Sequence, residues 1–144
     1  MAKTGEISFH IDIEQFENYK ANLIRSASLF KNFEERYLNA LAAKIMERAI
    51  PRTPVDTGRL ARSYKVTRCW TEGDDLYIQV YNDATSNGNL DSYASYVEYG
   101  HLTRNRVSWV EGYWMLTVST QEVEQDMQRV FNRMFADWCK EMGI

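Results

Sequence analysis

The stretch EISFHIDI alternates Ile7, Phe9, Ile11 and Ile13 with Ser8, His10 and Asp12. A period of two predicts a half-buried strand, or an extended arm, over residues 1–13, with His10 on its polar face. From Glu14 the period changes. Phe16, Tyr19, Leu23, Ile24, Phe30, Phe33, Tyr37, Leu41, Ile45, Met46 and Ala49 recur mostly at three- and four-residue steps, the spacing of an amphipathic helix. The predicted helical region covers residues 14–50, with a weak point near Ser26 to Ser28. Pro51 and Pro54 are expected to stop it, since each lacks a backbone N–H and disfavours helical geometry just before it.

Residues 51–112 read as sheet and loops. SYKVTRCW and DLYIQVYN are rich in β-branched and aromatic residues and are joined by TEGD, which predicts an antiparallel hairpin. Tyr64, Val66, Arg68 and Trp70 should share one face of the first strand, and Leu76, Ile78 and Val80 one face of the second. The polar run 82–92 reads as a surface loop. YASYVEYGH then predicts a short helical turn or bent strand, with Tyr93, Tyr96 and Val97 on one side and Gly100 ending it. Residues 102–113 read as a further connection. Over 113–142 helical spacing returns with Trp114, Met115, Val118, Val123, Met127, Val130, Phe131, Met134, Phe135 and Trp138. Together these elements predict one domain, residues 1–144, of α+β class: a long N-terminal helix and a long C-terminal helix packed on a small antiparallel β-sheet.

Charge changes this picture in one respect. The net charge is −3, which argues against a free-standing nucleic-acid binder, but the distribution is uneven. Residues 1–72 hold 12 Lys/Arg against 9 Asp/Glu, and residues 73–144 hold 5 against 11. Lys44, Arg48, Arg52, Arg59, Arg62, Lys65 and Arg68 face only Glu47 and Asp56 within residues 44–68. Such a belt suits contact with the acidic side of a neighbouring subunit, with DNA phosphates as the second reading. No stretch approaches the ~18 apolar residues that a membrane span requires.

Candidate chemistry is sparse. The two cysteines, Cys69 and Cys139, are 70 positions apart with no CxxC, so zinc is not indicated and both read as buried, reduced thiols. Only His10 and His101 are available as bases. Glu98 and His101 could be combined with Asp56 or Cys69 into a triad-like set, but no nucleophile signature accompanies them. No phosphate-binding loop is present. Residues 51–64 suffice as a stiff helix-to-sheet connection: Asp56 or Thr57 can accept a hydrogen bond at the turn, Gly58 permits an unusual backbone angle, Leu60 anchors it, and Arg59 and Arg62 point outward.

RTPVDTGRLARSY at 52–64, YASYVEYGH at 93–101 and WVEGYWMLTVS at 109–119 together resemble a family of small morphogenesis proteins of long-tailed bacteriophages and prophages. These are head–tail connector or tail-completion (neck and minor tail) components, and the resemblance covers residues 30–140. Val110, Glu111 and Gly112 stand where many members carry a proline. The resemblance implies an α+β fold, no enzymatic activity and no cofactor.

It further implies a subunit that rings the DNA channel in the virion at the head–tail junction, after assembly in the host cytoplasm. Its partners would be copies of itself, a hexamer in preference to a dodecamer, a head-side adaptor or stopper, and a tail-tube or tail-terminator protein. DNA would pass without sequence-specific binding. Thr53, Pro54, Val55, Asp56, Thr57 and Gly58 fill the first motif, and Tyr96, Glu98, Tyr99 and Gly100 the second. With Arg59, Arg62 and His101 these are the expected interface residues. The alternatives are a tail-terminator ring capping the tube, or a soluble non-viral binding module that docks through its aromatic C-terminal helix.

Overall fold

The computed structural model describes residues 13–55, 58–85 and 93–143. The strand or arm expected over 1–13 lies outside the described residues, save Ile13, which is already helical. Asp56, Thr57 and most of the polar run 82–92 lie outside them too, as do the side chains of Phe16, Tyr19 and Leu23. In chain order the elements are α1 (Ile13–Arg52), α2 (Arg59–Arg62), β1 (Tyr64–Val66), β2 (Trp70–Glu72), β3 (Asp75–Tyr77), β4 (Val80–Asn82), α3 (Tyr93–Tyr99), β5 (Gly100–Leu102), β6 (Trp109–Glu111) and α4 (Met115–Met142). The fold is α+β, with a long helix at each end of the sheet elements, as the periodicity predicts.

Helix α1 corrects two expectations. It runs unbroken through Ser26 to Ser28, because serine costs a helix only a few tenths of a kcal/mol relative to alanine. It also passes through Pro51 and ends after Arg52. Proline in the final turn disturbs one carbonyl rather than a continuing ladder. Thr53 closes the end instead: its N–H bonds to the Ile50 carbonyl at 3.1 Å, and its hydroxyl donates to the Ala49 carbonyl at 2.8 Å.

Two compact units are distinguished, residues 1–32 and 33–144, and the boundary falls within α1. In the first, Ile24 is exposed. In the second, Phe33 is fully buried, and its ring centroid lies 5.7 Å from Phe131, 5.8 Å from Phe135 and 5.6 Å from Trp138. Two turns further on, Leu41, Val123 and Val130 form a buried cluster flanked by Tyr37, Leu38, Ile45 and Met134. The aromatic end of α4 is therefore spent on α1, within the chain. Ion pairs flank this seam. Arg48 meets Asp126 at 2.8 Å and Glu122 at 3.4 Å, Arg52 meets Glu122 at 2.5 Å, and Arg36 meets Glu141 at 3.1 Å.

Instead of one small sheet there are three two-stranded ladders, β1–β4, β2–β3 and β5–β6. The first two are parts of a single hairpin. Tyr64 pairs with Asn82 and Val66 with Val80, whereas Trp70 pairs with Tyr77. Thr67, Arg68 and Cys69 therefore oppose only Ile78 and Gln79, which is a β-bulge. The extra residue reverses the inward parity of that strand. Tyr64 is buried, but within the bulge Thr67 and Cys69 turn inward while Arg68, and Trp70 just beyond it, are exposed. The single face expected for Tyr64, Val66, Arg68 and Trp70 is thus broken. On the unbulged strand Leu76, Ile78 and Val80 do share the half-buried face.

At the hairpin tip Gly73 has φ +61° and Asp74 has negative φ. This is the two-residue type II′ turn, which favours glycine at its first position. Residues 102–113, read as a connection, contain the β5–β6 hairpin. Its strands are three residues each, too short for a clear period of two.

Truncating Phe33 to alanine empties the centre of the ring cluster. Phe33→Ala is expected to cost about 3–5 kcal/mol, measured as a shift in guanidinium unfolding. A loss below about 1 kcal/mol would show that the cluster is not core.

A second expectation concerns acid. The hydrogen bond from Arg48 holds the Asp126 carboxyl below its ordinary range, with Arg129 adding to the effect. A depressed carboxylate contributes stability that is fully present above its unfolded value and is lost as pH falls through the folded one. Stability should therefore decline below about pH 4, and the decline should be shallower in Arg48→Gln, as read by urea unfolding across that range.

Candidate functional site

The three sequence motifs meet at one junction, where the C-terminal end of α1 touches the first turn of α4. Thr53 comes from the first motif and is only 3% exposed. Its hydroxyl proton goes to Ala49, so it accepts from the Tyr64 hydroxyl, 2.9 Å away. That hydroxyl also lies 3.5 Å from the Met115 sulfur, in the third motif. Burial pushes the Tyr64 phenol above its ordinary value, against the opposing hydrogen bond with Thr53. Below it, Leu60, Ala84, Ala94 and Met115 form a second buried cluster with Val97. Arg52 completes the junction by donating to the Ser119 hydroxyl at 3.0 Å.

Glu98, from the second motif, is 5% exposed, and its use is explicit. Its carboxylate accepts from Leu116 N at 3.0 Å, Thr117 N at 2.8 Å and Thr117 Oγ1 at 2.8 Å. The first N–H groups of a helix have no partner within the helix and carry its positive dipole end. The residue just before α4, Trp114, has φ +50° and offers no side-chain cap. Glu98 supplies the missing cap from α3. The backbone follows: Tyr113 N bonds to Val97 O at 2.8 Å and Trp114 N to Glu98 O at 3.0 Å.

So close an approach of two backbones requires glycine on both sides. A Cβ on Gly112 would lie 2.3 Å from the Glu98 carbonyl oxygen, and one on Gly100 would lie 2.4 Å from that of Val110. Gly100 also has φ +85°. The sequence reading made Gly100 a terminator; Gly112 was not singled out, although its place between WVE and YWM was a usable signal.

Of the remaining expected site residues, Asp56 and Thr57 lie outside the described residues, and the others are half-buried or exposed. Pro54 is half-buried and Val55 exposed. Gly58 has φ +72°, and the Arg62 guanidinium closes over it, 2.9 Å from where a Cβ would stand. Leu60 is buried beneath, and Arg59 and Arg62 are exposed. In α3 the inward residues are Ala94, Val97 and Glu98, whereas Tyr93 and Tyr96 are exposed. This corrects the face on which Tyr93, Tyr96 and Val97 were grouped. Tyr99 is exposed and meets Trp114 edge to face at 5.6 Å. His101 is half-buried against Tyr96, centroids 5.8 Å apart, and its Nδ1 is buried without a hydrogen-bond partner.

Burial, and secondarily Glu35, pushes the Cys69 thiol up; both cysteines are free and half-buried rather than fully buried. The basic belt is partly neutralised at home. Arg48 and Arg52 pair with α4 acids, and Lys65 pairs with Asp83. Among the described residues no group of three or more His, Cys, Asp or Glu is placed to hold a metal. No helix among them is long and apolar enough to cross a membrane.

Removing the cap tests this account. Glu98→Ala should cost about 2–3 kcal/mol, since three donors lose a charged acceptor. Glu98→Gln, which keeps an oxygen, should cost less. Gly112→Ala should destabilise by about 3 kcal/mol or more through overpacking against backbone, while Gly143→Ala, with nothing within 4 Å of its Cβ position but φ at +72°, should lose only about 1 kcal/mol to left-handed strain. Thermal unfolding of the four variants checks the order, and equal losses for Gly112 and Gly143 would contradict the tight approach.

A protein-family model described as "Bacteriophage HK97-gp10, putative tail-component" matches residues 14–100, more than half of the chain. The match takes in α1, the first motif and the second motif as far as Gly100. No curated protein and no solved structure matches the chain. The chain thus belongs to the HK97-gp10-like family of bacteriophage tail components and is a phage structural protein.

Proposed function

We propose that this chain is the repeating subunit of a ring at the head–tail junction, a tail-completion or neck component. It would join the tail to a head-side adaptor or stopper on one rim and to the tail tube or its terminator on the other. DNA would pass through its lumen without being read. The ring is a homo-oligomer, a hexamer before a dodecamer, and the subunit does no chemistry.

The observation that carries this reading is how the polar motif residues are used and what is left outside. Glu98, the strongest carboxylate candidate for acid–base work, is committed to capping α4. Thr53 is committed to the end of α1. Alongside the exposed Arg59, Arg62, Ser95 and Glu111, the same segments and their continuation expose apolar and aromatic side chains: Val55, Tyr96, Tyr99, Leu102, Trp109 and Trp114. Exposed apolar groups gathered on one part of a fold mark surfaces that meet another protein. Tail components act by such contacts, and a heterologous contact closed by rotation yields a ring. Internal neutralisation of Arg48, Arg52 and Lys65 favours a conduit that does not grip DNA.

Particles produced without this chain should accumulate as separate heads and tails in electron micrographs. Density for intact particles should place the chain in a ring where the two meet. Heads that still join tails in its absence would end this reading, and density at the tube end alone would favour a terminator ring.

A further inference from the structure

Two hairpin tips of this chain carry opposite charge, and both are held rigid by local hydrogen bonds. The β5–β6 tip is TRNRVS, residues 103–108. Thr103 N bonds to Ser108 O at 2.8 Å and Arg106 N to Thr103 O at 2.7 Å. Thr103 Oγ1 donates to Asn105 Oδ1 at 2.6 Å and accepts from Ser108 N at 3.1 Å. Arg106 is held at φ +57°, a conformation uncommon for a residue with a side chain. This frame presents Arg104, Arg106 and Val107 to solvent, Val107 with 77% of its surface exposed.

The β2–β3 tip presents Glu72, Asp74 and Asp75 around the Gly73 turn. Behind it Trp70 stacks on Tyr77 at 5.6 Å and 22°. The indole N–H donates to Glu72 Oε1 at 3.0 Å, which fixes the ring beside the acids. None of Arg104, Arg106, Asp74 and Asp75 takes part in the ion pairs among the described residues. Arg36, Arg48 and Arg52 are drawn into the α1–α4 seam; Arg104 and Arg106 are not.

We propose that the two tips are the two halves of one head-to-tail contact between copies of this chain. The Arg104/Arg106 tip of one copy docks on the Glu72/Asp74/Asp75 tip of the next. This names the subunit contact of the ring and rests on that reading. Three features select a second copy as the occupant. Charges are complementary, two cations against three carboxylates. A carboxylate cluster beside a stacked indole–phenol pair suits guanidinium, which pairs with carboxylates and stacks on aromatic faces. Both tips are ordered before contact, so little side-chain and loop entropy is lost on association. Because the two surfaces differ, the contact is heterologous and repeats around a ring. Val107 and Trp109 supply apolar area next to the charges.

Charge exchange tests it. The double variants Arg104→Glu/Arg106→Glu and Asp74→Lys/Asp75→Lys each set like charges tip to tip, and each should weaken self-association at least about tenfold. An equimolar mixture of the two, and the fourfold variant carrying both exchanges, should recover it. Wild-type association should weaken as salt rises. Sedimentation velocity at low and high salt reads all of these, with unfolding midpoints confirming that the exposed substitutions leave the fold intact.

Double variants that associate like the wild type, an unrecovered fourfold variant, or a wild type that stays monomeric at every concentration would overturn the tip contact. So would an Arg104→Glu/Arg106→Glu chain that keeps its association but loses salt-sensitive retention on double-stranded DNA. None of these results bears on the ring reading, which stands or falls on particles made without the chain.

Discussion

The organisation of the larger unit depends on one carboxylate. Helix α4 begins after a residue in left-handed geometry, with no capping side chain of its own, and its first N–H groups would otherwise be left unpaired in a largely buried place. Glu98 fills that need from α3. A charged acceptor at a helix N-terminus satisfies donors and complements the dipole together. The same contact fixes where α3 lies against α4. It draws the Tyr113 and Trp114 amides onto the carbonyls of Val97 and Glu98, and the backbones come so near that only glycine fits at 100 and 112. One interaction thus dictates a helix start, a helix–helix contact and two glycines.

The other end of the junction is built by small side chains with unambiguous duties. Thr53 ends α1 and receives the Tyr64 hydroxyl; Tyr64 reaches Met115; Arg52 reaches Ser119 and Glu122. The motif loop, the hairpin and α4 are consequently tied to one another. A frame tied together in this way suits a structural component of a phage particle. Among the described residues of TPVDTGRLARSY, Thr53 closes α1, Leu60 and Tyr64 are buried, and Arg59 and Arg62 are exposed.

Charge has a similar division of labour. The excess of cations before residue 72 and of anions after it is largely an internal matter where α1 and α4 run together, with Arg48 and Arg52 answered by Glu122 and Asp126. Partly exposed pairs of this kind add modestly to stability, but several in one seam also fix the register of the two helices. Arg104 and Arg106 at one hairpin tip, and Asp74 and Asp75 at the other, lie outside that seam and are exposed.

The periodicity of the chain by itself determined the two long helices, the antiparallel hairpin, the inward stripe from Phe33 to Ala49, and the α+β class, because 3.6- and 2-residue repeats are local properties of burial. The three motifs sufficed to place the chain in its family. Tertiary structure alone decided the rest. The bulge at Thr67 to Cys69 depends on what the opposite strand offers. The passage of α1 through Pro51 depends on Thr53 to close the end. The aromatic tail of α4 became core because α1 brought Phe33 to it. Glu98 could be read as acid, interface or cap until the start of α4 was seen beside it. A side chain's role was legible when its partners were near in sequence, and not when folding had to bring them together.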